Sequence, residues 1–360
     1  MLWPRLSVTL IGSSGYGAIQ FPLSMRLIVQ LPALNEEKTI VQVIQAIPRR
    51  IQGVEEVLVL VIDDGSRDRT AELARSCGAI VLSHEQNRGV GAAFRSGLAR
   101  SIELDADIVV TMDSDGQFDP LDIQKLVDPI LKGQADFVTA SRFLDPALVP
   151  EMPGIKRWGN DFMAQWIGTM VKKRFYDVSC GFRAYSKNAF LRLTLLGDFT
   201  YTHEVFLTLA FSGVPIMEVP VRVRGVRAHG KSRVASNLFS YGWRAASIIL
   251  KTYRDYRPLK FFSKIAALLV LIGLFFLSFL VSVKIQTGVF TPHKWSGFTA
   301  AAFVGAGLGV FLVGIVAEML DRIRASADES LFRVRRLESI LRKGAHPAAA
   351  PPRNQEKASP

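Results

Sequence analysis

A pair of acidic residues at the end of an apolar run is the strongest chemical signal in the sequence. Asp113 and Asp115 directly follow residues 108–112, a run with the composition of a buried strand. Because alternate residues of an extended chain point the same way, both carboxylates can face one site, and Gln117 could add a carbonyl oxygen. Divalent Mg²⁺ and Mn²⁺ prefer oxygen ligands and bridge them to diphosphate oxygens. The spacing therefore predicts a divalent metal, Mg²⁺ or Mn²⁺, held by these three residues.

Two other interpretations of this acidic segment need no diphosphate. A surface turn is one, since Asp-Gly pairs are common in turns. An EF-hand loop is the other, because Asp113, Asp115 and Asp119 begin at nearly its spacing. Its glycine position holds Phe118, however, and its final glutamate position holds Gln124. These departures exclude the EF-hand and leave the surface turn as the alternative.

Two further polar motifs lie where ligands bind in α/β proteins. Asp63 and Asp64 end the second apolar run of the chain. Residues 87–89 open a stretch of helical periodicity, and backbone N–H groups at a helix start can bind an anion. This motif is not a dinucleotide-binding fingerprint, because Phe94 occupies its third glycine position and it does not follow the first strand. A helix start packed closely against the sheet is the competing interpretation.

From residue 26 onward, short β-branched runs alternate with segments of helical periodicity, which predicts a doubly wound α/β sheet. The predicted strands are 27–31, 57–62, 79–83, 108–112 and 137–140, and the predicted helices are 37–47, 70–77, 91–103 and 120–131. Ligands bind at the carboxyl ends of strands in such sheets, which is where the acidic residues fall. Further helices near 158–171 and 203–211 and a strand at 216–223 are predicted, and the helices are expected to cover an acceptor cleft.

Two uncharged apolar runs in the last third of the chain predict a pair of transmembrane helices. Residues 265–283 and residues 296–317 contain no charge, and each is long enough for a hydrocarbon core that needs about 20 apolar residues. Gly305 and Gly309 are expected to form the close-packed face of the second helix. A pair of buried core helices is the alternative.

The basic residues cluster beside the predicted membrane helices. The chain has a net charge of +12, and residues 222–260 hold ten Lys and Arg against one acid, Asp255. A second basic cluster follows the second helix, so both flanks are predicted to be cytoplasmic, and the catalytic domain cytosolic. Anionic lipids are therefore the expected partner, and no nucleic acid is expected. An amphipathic helix at 237–256 is predicted to lie in the membrane interface, with an ordinary surface helix as the alternative.

Taken together, the motifs from residue 27 to residue 233 resemble family 2 glycosyltransferases of GT-A fold, most closely the polyprenyl-phosphate hexose synthases of the dolichol-phosphate mannose synthase type. The resemblance implies a nucleotide-sugar site formed by Pro32, Asn35, Glu36, Glu37, Asp63, Asp64, Asn87, Gly89, Asp113 and Ser114. It implies acceptor-phosphate contacts from Arg142, Arg157, Arg227, Ser232 and Arg233, the last in place of the family's lysine. Asp115, Arg142, Arg157 and Arg227 are the residues expected to carry catalysis.

The acceptor side of the sequence favours a phosphate over a hydroxyl. Many family members that glycosylate a hydroxyl carry a Glu-Asp or similar acid there as general base, whereas the corresponding region of this chain reads Thr202, His203, Glu204. A phosphomonoester has its second pKa near ~6 and is already nucleophilic at neutral pH. We therefore expect inverting transfer of a hexose from a GDP-mannose or UDP-glucose type donor to a polyprenyl phosphate. A hydroxyl acceptor with Glu204 as base, and a non-catalytic membrane scaffold, are the alternatives.

These interpretations divide the chain into five parts. They are an N-terminal extension at 1–25, a GT-A catalytic domain at 26–235, juxtamembrane amphipathic helices at 236–260, two transmembrane helices at 261–320 and a basic, partly disordered tail at 321–360. The predicted protein is an integral membrane enzyme with both termini cytoplasmic. An oligomer is compatible with the sequence.

Overall fold

A computed structural model describes residues 25–152, 154–194, 201–224 and 238–345. Its centre is a mixed sheet of seven strands in the order β3-β2-β1-β4-β6-β5-β7. The strands are β1 (Arg26–Ala33), β2 (Glu56–Asp63), β3 (Ile80–Ser83), β4 (Ile108–Thr111), β5 (Phe137–Ser141), β6 (Arg183–Ser186) and β7 (Ile216–Pro220). Strand β6 is antiparallel to both of its neighbours, β4 and β5. The segment that leads into β6 therefore lies at the same sheet edge as the carboxyl ends of the parallel strands.

Ten helices surround or follow this sheet in the described residues. They are α1 (Ile40–Ala46), α2 (Thr70–Ser76), α3 (Val90–Glu103), α4 (Ile123–Leu131), α5 (Gly154–Val171), α6 (Lys187–Leu191), α7 (Thr202–Phe211), α8 (Leu238–Tyr256), α9 (Pro258–Thr287) and α10 (Lys294–Ala345). Short 3₁₀ turns occupy Pro120–Asp122 and Pro146–Leu148.

The two faces of the sheet bury separate apolar cores, as a doubly wound sheet requires. Along β1, Leu27 and Val29 face one core and Ile28 faces the other, which is the period of two of an extended strand. Helices α1, α2 and α4 cover the first core. Helices α3, α5, α6 and α7 cover the second, together with Ile249 of α8 and Phe332 of α10. The candidate membrane helices are thus connected to one particular face of the sheet.

The predicted strands and helices are confirmed, with shifts at their ends and two omissions, strand β6 and the short helix α6. Helix α1 begins at Ile40, three residues later than predicted, because Thr39 donates its N–H to Glu36 in a turn. Strand β7 ends at Pro220, opposite Ser141, where its partner β5 also ends. Strand β6 was not predicted, because its four residues, Arg-Ala-Tyr-Ser, form no apolar run.

Helices α9 and α10 pack along each other and are long and apolar enough to be candidate membrane spans. The expectation for Gly305 and Gly309 is wrong, because nothing lies within 4 Å of a Cβ added at either position. The close approach is made by Gly273 and Gly307 instead. A Cβ on Gly307 would lie 2.8 Å from Val270 Cγ2 and 3.1 Å from the carbonyl oxygen of Ala266, both on α9. The contact face of α10 is therefore turned away from the predicted one.

Helix α10 does not end at the expected tail boundary near residue 321. It continues to Ala345 and docks on the α/β domain, where Phe332 is buried. Arg335 Nη1 donates to the carbonyl oxygens of Leu191, at 3.1 Å, and Leu193, at 3.0 Å. The helix that forms the second candidate span therefore also contacts the α/β domain.

Candidate active site

Hydrogen bonds between three loops build the floor of the site at the carboxyl edge of the sheet. Ser114 Oγ donates to the carbonyl oxygen of Pro32 at 2.8 Å. Thr39 Oγ1 donates to the carbonyl oxygen of Ser114 at 2.9 Å. The turn that carries Asp113 and Asp115 is thereby attached to the loop after β1 at two points, and the structure brings Pro32 and Ser114 together as predicted.

The loop after β1 is joined in turn to the loop after β2. Asn35, with a φ of 50°, donates its N–H to Ser66 Oγ at 2.9 Å and accepts the N–H of Arg67 on its Oδ1 at 2.7 Å. The N–H groups of Glu36 and Glu37 donate to side chains of the same loop, those of Thr70 and Asp68. Asn35, Glu36 and Glu37 therefore lie at a junction of two loops, and their nucleotide contacts stay a prediction.

Asp63 and Asp64 are both buried, and the structure gives each a partner in this junction. Asp64 Oδ1 accepts the N–H of Arg88 at 2.9 Å, and its Oδ2 accepts the N–H of Gly89 at 2.8 Å. His84 Nδ1 lies 2.7 Å from the same carboxylate. Asp63 accepts the N–H of Ser66 at 3.0 Å. Asp64 thus fixes the Asn87–Gly89 motif at the start of α3.

The predicted metal residues lie on one turn after β4. Asp115 is buried, and its Oδ1 accepts the N–H of Gln117 at 3.0 Å. Asp113 is partly exposed and faces Gly181, where an added Cβ would lie 3.3 Å from its Oδ1. Gln117 Nε2 donates to the carbonyl oxygen of Arg224 at 2.9 Å, so its amide also holds the segment after β7.

Two carboxylates on one turn fit a divalent cation that is shared with a substrate diphosphate. Among the described residues there is no group of three His, Cys, Asp or Glu side chains that could hold a metal unaided. Mg²⁺ usually takes one or two carboxylates from the protein and its other ligands from phosphates and water. Asp113 and Asp115 therefore fit the predicted cation, with its remaining ligands supplied by substrate and water.

Arg142, which follows β5, is held by a buried carboxylate. Its Nε lies 2.6 Å from Asp177 Oδ2, and its Nη2 lies 2.9 Å from Asp177 Oδ1. Burial acts to raise the pKa of Asp177, but the adjacent Arg142 charge and several hydrogen bonds hold it below its usual value. Arg142 Nη2 also donates to Ser179 Oγ at 2.7 Å. The guanidinium is thus fixed in orientation on two sides.

Glu218 lies behind this pair and anchors its backbone. Its Oε1 accepts the N–H of Asp177 at 2.8 Å and that of Tyr176 at 3.1 Å. Burial raises the pKa of Glu218 to about 7.

Of the other predicted acceptor residues, the structure describes only Arg157. Arg157 is exposed on the first turn of α5, and Asn160, one turn later, accepts Ser179 Oγ on its Oδ1 at 3.0 Å. Arg157 is therefore close in sequence to the Arg142 network. Arg227, Ser232 and Arg233 lie outside the described residues.

A cavity of about 380 Å³ opens between the loop after β5 and the chain after β7. It is lined by Ala147, Leu148, Val149, Pro150, Glu151, Arg222 and Val223. The lining loop connects β5, which precedes Arg142, to α5, which carries Arg157. The cavity therefore adjoins the segments in which acceptor contacts were predicted.

Glu204 lies on the first turn of α7, on the side toward α8. Burial raises the pKa of Tyr256 at the end of α8, and the negative charges of Asp328 and Glu204 act in the same direction. Thr208, one turn after Glu204, bonds to the same phenol. The side of α7 that carries Glu204 is thus directed toward the junction of α8 with α10.

Sequence reasoning missed Asp177, Glu218 and His84. A signal for His84 existed, because it directly follows the predicted strand 79–83. In the structure β2 and β3 pair in parallel with Asp63 opposite Ser83, which makes Asp64 and His84 neighbours. Asp177 and Glu218 offered no such signal, because their positions depend on the unpredicted antiparallel strand β6.

Comparison with known proteins decides the family. The sequence model described as glycosyl transferase family 2 matches residues 28–194. A UDP-N-acetylglucosamine–dolichyl-phosphate N-acetylglucosaminyltransferase of Methanococcus voltae is 34% identical over 178 residues, which are 44% of this chain and 68% of that protein. This chain belongs to glycosyl transferase family 2. An uncharacterized glycosyltransferase of Mycobacterium bovis is 32% identical to it over 211 residues, covering 58% of this chain and 90% of that one.

The family 2 glycosyltransferase also has the GT-A fold that the resemblance implied. Glucosyl-3-phosphoglycerate synthase from Mycobacterium tuberculosis, solved with Mn²⁺, UDP and glucosyl-3-phosphoglycerate, superimposes with a TM-score of 0.52 at 25% identity. The match covers 63% of this glycosyltransferase and 80% of that chain. A second crystal of the same synthase contains Mg²⁺ and UDP, at 26% identity and a TM-score of 0.50. Its structural neighbours thus bind a nucleoside diphosphate together with a divalent metal.

Proposed function

We propose that this glycosyltransferase transfers a hexose from a nucleotide-sugar, of the GDP-mannose or UDP-glucose type, to the phosphate of a polyprenyl phosphate with inversion at the anomeric carbon. The observation that carries the proposal is the loop 177–181. At one end Asp177 holds Arg142, and at the other Gly181 packs against Asp113. A fixed guanidinium and a carboxylate suited to a metal therefore lie on either side of one short loop.

The donor end of the proposed site is formed by the loops after β1, β2 and β4. Asp113 and Asp115 would hold Mg²⁺ or Mn²⁺, with Gln117 beside them, and the metal would neutralise charge on the leaving diphosphate. The N–H groups of Arg88 and Gly89 are used by Asp64, so a donor anion at the start of α3 would be met by the N–H groups of the next residues, 90–92. Asn35, Glu36, Glu37 and Asp63 line the same junction and are assigned to nucleotide binding.

The acceptor end needs positive charge and orientation more than a base. A phosphate oxygen of the lipid attacks the anomeric carbon, the bond from that carbon to the diphosphate breaks, and its electron pair leaves with the nucleoside diphosphate. Guanidinium groups suit the charge and geometry of a phosphate. Arg142 is assigned to orient the lipid phosphate, with Arg157 and the segment of Arg227, Ser232 and Arg233 as further contacts.

A hydroxyl acceptor with Glu204 as general base is the competing assignment, since a general base must come within hydrogen-bond reach of the proton it removes. Glu204 lies on the first turn of α7, whose Thr208 bonds to Tyr256 at the end of α8. A phosphate acceptor is preferred because a phosphomonoester is already nucleophilic at neutral pH and needs no base.

The proposed location follows from the two candidate spans and their basic flanks. The catalytic domain would lie in the cytosol with both termini cytoplasmic, and the helix hairpin would keep the site beside a substrate that is confined to the bilayer. Dolichyl phosphate is named as the acceptor of the Methanococcus voltae relative, which supports a lipid phosphate here.

The proposal is tested with the purified full-length enzyme in lipid vesicles. Radiolabelled GDP-mannose, UDP-glucose and UDP-N-acetylglucosamine are supplied in turn, with either a polyprenyl phosphate or the matching polyprenol. The expected result is a labelled glycolipid from the phosphate alone, acid-labile and alkali-stable as a glycosyl phosphodiester should be. Label appearing in the polyprenol with equal efficiency would show a hydroxyl acceptor and overturn the proposal.

A further inference from the structure

Helix α5 carries three aromatic rings in a row, and the first two lie exposed on its outer face. Trp158, Phe162 and Trp166 follow one another at four-residue spacing, with ring centroids 5.7 Å apart in the first pair and 6.0 Å in the second. Trp158 is 66% exposed and Phe162 is 49% exposed. We call these three residues the aromatic ladder. Exposed rings at this density mark a surface that another phase or partner covers.

One end of the ladder packs on the core, and the other end is exposed. Trp166 packs against the second core, and Ala164 and Ile167 of the same helix are buried in it. These contacts hold α5 on the sheet, so the outer rings are not needed to attach the helix. Removing Trp158 and Phe162 should therefore leave the fold intact.

The segment that carries the ladder has an excess of positive charge, which favours contact with an anionic surface. Residues 154–174 contain five basic residues, Lys156, Arg157, Lys172, Lys173 and Arg174, and one acid, Asp161. The basic residues lie at the two ends of the helix and the rings lie between them. Helices that lie in a membrane interface combine aromatic residues on one face with Lys and Arg on the polar side.

The position of α5 places this face beside the path to the bilayer. Helix α5 packs against α8 on the second face of the sheet, and α8 ends at Tyr256, two residues before α9 begins. Helix α10 docks on the same face through Phe332. The ladder is therefore on the side of the catalytic domain that is connected to both candidate spans.

From these observations we propose that the aromatic ladder inserts into the headgroup region of an anionic bilayer and docks the catalytic domain there. This inference rests on the proposed function, in which the acceptor is a membrane lipid. On the inner side of α5, Asn160 bonds to Ser179, which bonds to Arg142. One helix therefore joins the docking face to the guanidinium assigned to the lipid phosphate, and docking brings that group to the level of the headgroups.

The depth of the ladder can be measured with a nitroxide label on the full-length protein. Cys180 is buried and burial raises the pKa of its thiol to about 12, so it should not react, and only Cys77 has to be replaced by alanine. Labels are placed through Trp158→Cys and through Leu121→Cys. Leu121 is the matched control, because it is 67% exposed and precedes α4 on the opposite face of the sheet.

In phosphatidylglycerol vesicles, power saturation with oxygen and with a nickel chelate should place the label at 158 about 5–10 Å below the phosphates. The label at 121 should stay in water. Equal access of the nickel chelate to both positions would overturn the proposal. So would a label at 158 that neither reagent reaches, since a second protein copy would then cover the ladder. An unchanged depth in pure phosphatidylcholine would overturn the assignment to anionic lipid.

A kinetic comparison tests the consequence for catalysis. The double variant Trp158→Ser with Phe162→Ser should raise the KM for polyprenyl phosphate in vesicles about tenfold, since two aromatic groups no longer leave water. The kcat and the KM for the nucleotide-sugar should not change, and Leu121→Ser should match the wild type. An unchanged lipid KM would contradict the inference. If the wild type transfers no sugar to polyprenyl phosphate, the proposed function fails, and the depth measurement still decides the docking.

Discussion

Arg142 and Asp177 form a two-point ion pair in which each nitrogen of one guanidinium edge meets one carboxylate oxygen, at 2.6 Å and 2.9 Å. Asp177 is fully buried, whereas the Arg142 side chain keeps about a fifth of its surface exposed, at 22%. The buried carboxylate of Asp177 therefore fixes the guanidinium, while the partly exposed side of Arg142 can contact a ligand. This asymmetry makes Asp177 a positioning residue for Arg142.

Replacement of Asp177 by asparagine should weaken use of the acceptor more than use of the donor. Without the carboxylate, Arg142 loses the charge that fixes it, and misplacement of a substrate-orienting group can cost about 10²-fold in rate. We expect the KM for polyprenyl phosphate to rise while the KM for the nucleotide-sugar stays near the wild-type value. Steady-state kinetics with each substrate varied separately measures this split. Equal effects on both KM values would indicate a general loss of structure and contradict the assignment.

Replacement of Asp115 by asparagine should reduce transfer by at least about 10²-fold, because an electrostatic contact to the charge that develops on the leaving group is removed. The shape of the side chain is kept, so the fold should be preserved. Asp119→Asn is the matched control, since Asp119 is an exposed acid on the same segment that accepts the N–H of Leu121. Binding of Mn²⁺ in the presence of nucleoside diphosphate, followed by electron paramagnetic resonance, should be lost in the first variant and kept in the second. Full activity and Mn²⁺ binding in Asp115→Asn would reject the metal role.

Substitution of Gly65 by alanine should impair donor binding through the backbone. Gly65 has a φ of 76°, and an added Cβ would lie 2.6 Å from the carbonyl carbon of Gln86. Gly78→Ala is the control, because its φ is 78° and nothing lies within 4 Å of an added Cβ. Both variants bear the strain of a left-handed alanine, about 1–2 kcal/mol, but only Gly65→Ala displaces the segment before Asn87. We expect calorimetry to show weaker nucleotide binding for Gly65→Ala alone, and equal binding in both variants would count against the predicted donor site.

The stability of the protein should depend on pH through Glu218. The pKa of this group is about 7 in the folded protein and 4.5 in its ordinary state, so the folded state binds more protons between these values. Stability should accordingly fall as the pH rises through this window. In Glu218→Gln the group cannot titrate, and the decline in melting temperature should be smaller than in the wild type. Parallel melting curves for the two proteins across this range would show that Glu218 ionises normally.

The sequence was informative wherever a strand is buried on both faces. Runs such as 57–62 are continuous and β-branched because β2 lies inside the sheet, and such runs are recognisable without a structure. The acids that follow these strands could be assigned to one edge for the same reason. The predictions for β1, β2, β4 and β5 depended on such runs, whereas the grouping of Pro32 with Ser114, and of Asp64 with Gly89, came from the family resemblance.

The acceptor side could not be predicted in the same way. Strand β6 has only four residues, Arg183–Ser186, and its antiparallel insertion between β4 and β5 is what brings Asp177 to Arg142. The sequence has no hydrophobic pattern that would predict this inserted strand. The continuation of α10 beyond the second apolar run could not be predicted either. That part of the helix is rich in charged residues, and Phe332 is its single buried ring.

The central claim is that sugar is transferred onto a lipid phosphate, and ³¹P nuclear magnetic resonance of the extracted lipid after the reaction tests it most directly. The account predicts that the phosphomonoester resonance of the polyprenyl phosphate is replaced by a phosphodiester resonance, with the anomeric configuration of the attached hexose opposite to that of the donor. A phosphomonoester resonance that persists unchanged while sugar is incorporated into lipid would contradict it.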